Sequence, residues 1–145
     1  MSFMLHPNFS NKNHIIDLPL CSVFLEDVSH YPWLLLIPRR NKTRKMIDLS
    51  FEDQAVLFQE MTLAQTLVWD LFSPAQINVA ALGNKTPQLH IHVIARYEND
   101  PAWPDTVWDH PDKKPYSNEE LHKISAQLKE AFQSALASEK SFVTK

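Results

Sequence analysis

A chain of 145 residues with a single glycine, Gly83, has few backbones open to it. Average usage of about 7% would supply roughly ten. Loops that cradle phosphate on successive glycines cannot be built, which closes the P-loop and Rossmann dinucleotide-binding architectures. Tight turns must rest on Asn, Asp and the ten prolines. The length fits one domain, residues 1–145, and 44% hydrophobic residues suffice for a core.

The remaining bulk properties exclude more than they assign. A net charge of −3 with 21% charged residues gives no field that would draw nucleic acid or an anionic membrane. A bound nucleotide would need local donors instead. The one cysteine, Cys21, cannot form an internal disulfide. Met1 to Phe9 lacks the basic-then-apolar order of a secretory signal. The longest apolar run, Trp33 to Ile37, falls far short of the roughly 18 residues of a membrane span. The expected address is the cytoplasm.

Periodicity gives the order of elements. Residues 1–13 are polar and irregular and read as an arm. Leu18–Glu26 holds a β-rich run, and Trp33–Ile37, bounded by Pro32 and Pro38, reads as a buried strand. Ser50 to Phe72 reads as a helix. Ser50 and Asp53 have capping-box spacing, Leu57, Met61, Ala64, Val68 and Leu71 share one face, and Pro74 ends it. Ile77–Leu82 and Leu89–Ala95 are strands joined closely enough to pair antiparallel. Residues 97–116 are irregular. A last helix spans 117–138, with Ser117 and Glu120 as capping box. Strands flanking a helix in this order predict an α+β domain with an antiparallel sheet.

The chemistry concentrates in Gln88-Leu89-His90-Ile91-His92-Val93-Ile94. Alternation along a strand sends Gln88, His90 and His92 to one face and Leu89, Ile91 and Val93 to the other. Alternate residues lie about 6.5–7 Å apart, a spacing suited to a phosphate and its substituents. A neutral imidazole is a competent nucleophile near pH 7 if one ring nitrogen is free and the other holds its proton. A second histidine can donate to phosphate oxygens or to a leaving group.

Residues 88–94 resemble the signature of the histidine-triad (HIT) superfamily, His-φ-His-φ-His-φ-φ with φ apolar, except that Gln88 stands first. Tyr31-Pro32-Trp33, the run to Arg96 and Ala102-Trp103-Pro104 are similar to a bacterial branch of it. The resemblance covers about residues 14–110. It implies a sheet of about five strands with one long central helix and a C-terminal helix, and a homodimer in which two sheets join. It further implies a nucleotide hydrolase or transferase cleaving at the α-phosphate of nucleoside phosphoramidates or dinucleoside polyphosphates. His90 would form the covalent nucleotidyl intermediate and His92 would contact phosphate, with Gln88 where a relay histidine normally stands. Asn78 and Asn84 would contact phosphate or the active-site strand, and Asp27 or Glu26 would lie near the ribose. No cofactor is implied beyond magnesium carried by a polyphosphate substrate. Trp33 replaces a further histidine common in the family.

Other readings stand beside this one. Arg96 could meet phosphate oxygens or form an ion pair. Tyr97, Trp103 and Trp108 could stack on a base or simply pack their loop. Arg39, Arg40, Lys42, Arg44 and Lys45 read as a solvated basic face or a steering patch. His110 and His122 read as exposed residues without a role. His90-x-His92 could also present two imidazoles to zinc, with His110, His14 or an acid as third ligand. Gln88 and Trp33 are equally compatible with a nucleotide-binding module that turns over little substrate.

Overall fold

The computed structural model describes residues 2–143, with side chains described as far as Ser138. The expected bounds of the domain, 1 and 145, lie outside the described residues. Five antiparallel strands form one sheet: β1 (Asn13–Asp17), β2 (Cys21–Leu25), β3 (Trp33–Pro38), β4 (Gln76–Ala81) and β5 (Ile91–Arg96), in the order β1-β2-β3-β5-β4. Helix α1 (Phe51–Phe72) lies between β3 and β4, and α2 (Asn118–Val143) follows β5. This is the α+β fold that the order of elements predicts, with β4 and β5 paired antiparallel.

The two faces of the sheet are covered differently. On one, Val23, Leu25, Leu34, Leu36, Ile91 and Val93 pack against Leu57, Ala64 and Val68 of α1 and Leu128 and Phe132 of α2. On the other, Phe24, Leu35 and Ile37 meet Phe9, while Trp33 and Ile94 meet Val28, Tyr31, Ala102 and Val107. Every residue of β2, β3 and β5 is therefore buried. Edge strand β4 is only half covered.

Local chemistry sets the helix ends. Ser50 Oγ accepts the Asp53 N–H at 3.1 Å, so half of the expected capping box forms. The Asp53 carboxylate turns instead to Arg40, at 2.7 and 3.1 Å. Ser73 closes α1 in the left-handed region at φ 46°, and Pro74 prevents continuation. Ser117 and Glu120 make the reciprocal box at α2, at 3.1 and 3.2 Å.

Three expectations need correction. Asn13 to Asp17, read from the sequence as the end of the arm at Asn13 with no element from 14 to 17, is edge strand β1. Helix α2 runs to Val143 rather than 138, since no proline or glycine stops it. Strand β5 begins at Ile91, so Gln88 and His90 lie on the approach to it, where Leu89 N–H bonds to Thr43 O at 2.9 Å.

Candidate active site

The alternation read from residues 88–94 holds in space. Leu89, Ile91 and Val93 are buried toward the helices, and His90 and His92 face the other way, each 7% exposed. Their rings meet edge to face with centroids 5.1 Å apart.

Each ring has one nitrogen bonded to the protein, and the partner fixes the proton. His90 Nδ1 lies 2.7 Å from the carbonyl oxygen of Gln88. A carbonyl only accepts, so Nδ1 carries a proton and, in the neutral ring, Nε2 keeps its lone pair. His92 Nδ1 lies 2.9 Å from Trp33 Nε1. An indole N–H only donates, so Nδ1 of His92 accepts and its proton sits on Nε2. Burial, helped by the neighbouring His90 and Lys12, lowers the His92 pKa from 6.5 to about 3. His92 is thus a neutral N–H donor near pH 7, not an acid. Among the described residues neither Nε2 has a protein partner and neither is a buried unpaired nitrogen, so both open to the cavity.

That cavity has a volume of about 390 Å³. Besides the histidines, Phe9, Lys12, Glu26 and Trp108 line it. Asn84, Lys85 and Thr86 form another side, and Lys113 reaches it from the loop before α2. Trp108 stands edge-on to His92 at 4.9 Å and to Trp33 at 5.6 Å. Lys12 pairs with Glu26 at 2.8 Å.

Not every residue singled out from the sequence arrives here. Of Asp27 and Glu26, only Glu26 lines the cavity; Asp27 is exposed and accepts the Tyr116 N–H at 2.8 Å. Arg96 is 2% exposed and donates to both Asp100 oxygens at 2.8 and 3.0 Å, and to Asn78 Oδ1 at 2.8 Å. Arg96 and Asn78 are therefore joined to each other in the loop framework rather than to the cavity. Burial alone would raise the Asp100 pKa, but the Arg96 guanidinium and the Tyr97 and Trp103 N–H groups hold it below the usual range. Tyr97 donates to Phe72 O at 2.7 Å, and Trp103 packs beside the Arg96 guanidinium. The Gln88 side chain bonds to the N-terminal arm rather than to His90. Phe9, Lys12 and Thr86 were not legible as cavity residues, because no periodicity or motif marks them.

The donor set is ill suited to zinc. With Trp33 bonded to Nδ1 and the proton on Nε2, His92 has no free lone pair to give. Among the described residues, no three His, Cys, Asp or Glu side chains are grouped to hold a metal.

Residues 9–99 match the HIT domain. The chain belongs to the HIT-domain family. Its fold is shared at TM-score 0.87 with a histidine triad protein from Bradyrhizobium japonicum, 35% identical, over 90% of this chain and 98% of that one. A histidine triad protein from Marinobacter aquaeolei is also 35% identical, with a TM-score of 0.88 over 92% and 98% of the two chains. One from Sinorhizobium meliloti gives 0.85 at 35% identity over 89% and 96%. No protein of curated function matches the chain. In this HIT protein no helix of the described residues is long and apolar enough to cross a membrane.

Proposed function

We propose that the protein cleaves nucleotides at the α-phosphate through a covalent intermediate on His90 Nε2. The observation that carries the reading is the 2.7 Å bond from His90 Nδ1 to the Gln88 carbonyl, which keeps the Nε2 lone pair free and facing the cavity. In the first step an N–P bond forms and the bond from phosphorus to the leaving group breaks, with the electron pair departing on that group. The positive charge on the imidazole is shared with the Gln88 carbonyl through Nδ1–H. In the second step water displaces the imidazole and releases the nucleoside monophosphate. His92 Nε2–H donates to a phosphate oxygen throughout, because its proton is not lost or gained near pH 7. Asn84 and the cavity lysines Lys12, Lys85 and Lys113 face the substrate.

With Gln88 turned away and His92 a neutral donor, neither position can protonate a leaving amine. The lysines suit a leaving group that departs as an anion. Both points favour a dinucleoside polyphosphate over a phosphoramidate. An exposed β4 edge, with Phe58 and Trp69 exposed on α1, supports the homodimer. A single free, buried Cys21 is in keeping with a cytoplasmic address.

AMP release from a diadenosine polyphosphate and from an adenosine phosphoramidate, with His90→Ala alongside, tests the reading. The polyphosphate should turn over faster, and His90→Ala should reduce its rate by about a thousand-fold or more. Undiminished turnover by His90→Ala would refute the covalent step. Binding without turnover by the parent would leave a nucleotide-binding module.

A further inference from the structure

The N-terminal arm crosses the cavity side of the sheet in an extended run ahead of a short 3₁₀ turn, Pro7–Phe9. Two side-chain amides grip its backbone. Gln88 Oε1 accepts the His6 N–H at 2.8 Å, and Gln88 Nε2 donates to Met4 O at 2.9 Å. Asn41 Oδ1 accepts the Met4 N–H at 2.9 Å, and Asn41 Nδ2 donates to Ser2 O at 2.8 Å. Each amide thus takes the N–H of one residue and the C=O of the residue two before it. Those are the groups an extended chain shows to a neighbouring strand. Gln88 and Asn41 stand in for two steps of a β-ladder. Beyond the grip, Asn8 Nδ2 donates to Thr86 Oγ1 at 2.9 Å. Phe9 is buried and lies edge to face with His90, centroids 4.9 Å apart. Phe3 and Leu5 pack on the same apolar cluster as Phe9.

We infer that Gln88 is a positioning residue whose amide, with that of Asn41, seats residues 2–9 as a wall of the catalytic cavity. The wall sets Asn8, Phe9 and Lys12 against bound substrate. An imidazole at 88 could serve a proton relay; the amide serves the arm. The orientation of His90 does not depend on this exchange, because it comes from the main-chain carbonyl of Gln88, which any residue supplies. Loosening the arm therefore weakens substrate binding more than it slows the chemical step.

The substrate half of this inference rests on the nucleotide-cleaving reading above; the seating of the arm does not. The test compares Gln88→Met, Asn41→Ala, a deletion of residues 2–8, and the deletion combined with Gln88→Met. Two measurements are made: amide hydrogen exchange across residues 3–10, and KM and kcat for diadenosine polyphosphate hydrolysis. Exchange at His6 should accelerate in Gln88→Met and at Met4 in Asn41→Ala. KM should rise by about ten-fold in each single variant, the worth of one or two lost polar contacts, with a smaller change in kcat. The combined variant should be no worse than the deletion alone. Asn41 has no place beside the histidines, so a KM effect of Asn41→Ala separates seating of the arm from a local disturbance of His90. Unchanged exchange in Gln88→Met overturns the inference, as does a Gln88→Met effect that adds fully to the deletion. If the parent neither binds nor cleaves nucleotide, the functional reading fails and the substrate half with it, while the exchange data still decide whether Gln88 holds the arm.

Discussion

The two faces of the sheet carry different duties with similar materials. The helix face is one continuous apolar cluster in which each side chain meets another of its kind. The cavity face is two smaller clusters, one around Phe9 and one around Trp33, with the histidine pair touching both. Stability on the first face comes mainly from packing, with one buried polar group, Glu60 of α1, accepting the Leu20 and Cys21 N–H at 2.8 Å each. On the second, ordered polar bonds fix where protons sit: Trp33 to His92, His90 to Gln88, Arg96 to Asp100. A folded protein can therefore lose much stability through one face and keep its chemistry, or lose its chemistry through the other and stay folded.

The largest effect should come from the helix face. Phe132 is fully buried there, and Phe132→Ala should cost about 3–5 kcal/mol of stability. Urea unfolding would read the loss, and kcat of the folded fraction should not move. A fall in kcat matching the loss of stability would break the separation of the faces.

Arg96 carries the same contrast into the loop beside the cavity. Arg96→Met strands a buried Asp100 without its cation and should cost about 3 kcal/mol. Adding Asp100→Asn should recover part of that, as thermal melting of the single and double variants would show.

The third effect belongs to His92. Its folded pKa, about 3, lies below the ordinary 6.5, so below pH 6.5 the unfolded chain binds a proton that the folded one refuses. Stability should be fully present above about pH 6.5 and fall as pH drops toward 3. By linkage the loss at about pH 4.5 is about 2–3 kcal/mol. Urea titrations across this range should show the slope, and His92→Asn should flatten it.

The smallest is Trp33→Phe, which keeps an aromatic ring in place but removes the N–H with the rest of the pyrrole ring. His92 can then exchange tautomers, and kcat/KM should fall about ten-fold, about 1.4 kcal/mol, with a loss of stability of about 1–2 kcal/mol from the space left in the cluster. Nitrogen chemical shifts of His92 in the two proteins would show whether Nδ1 has been released.

Much of this was legible in the chain because the signals were local. Prolines bracket β3, apolar steps of three and four mark α1, and alternation at 88–94 puts both histidines on one face. Strand β1 escaped because three of its five residues, Asn13, His14 and Asp17, are polar and its register with β2 is broken between His14 and Ile16. The proton positions escaped because Trp33 and His92 are 59 residues apart in sequence. The arm's grip escaped for a further reason. Gln88 holds backbone groups of residues 4 and 6, and a main-chain N–H has no signature in a sequence.

The single glycine has an effect away from the site. Gly83 does not adopt a positive φ, and a Cβ there would meet nothing nearer than 3.7 Å. Among the described residues the left-handed positions fall to Lys42 at φ 58° and Ser73 at φ 46°, each strained by about 1–2 kcal/mol relative to right-handed backbone. Against this, a nearly glycine-free chain has fewer conformations to lose, since each glycine avoided narrows the unfolded ensemble by about 0.4–1 kcal/mol. The native state carries a little strain at two turns, and the denatured state is correspondingly poorer in entropy.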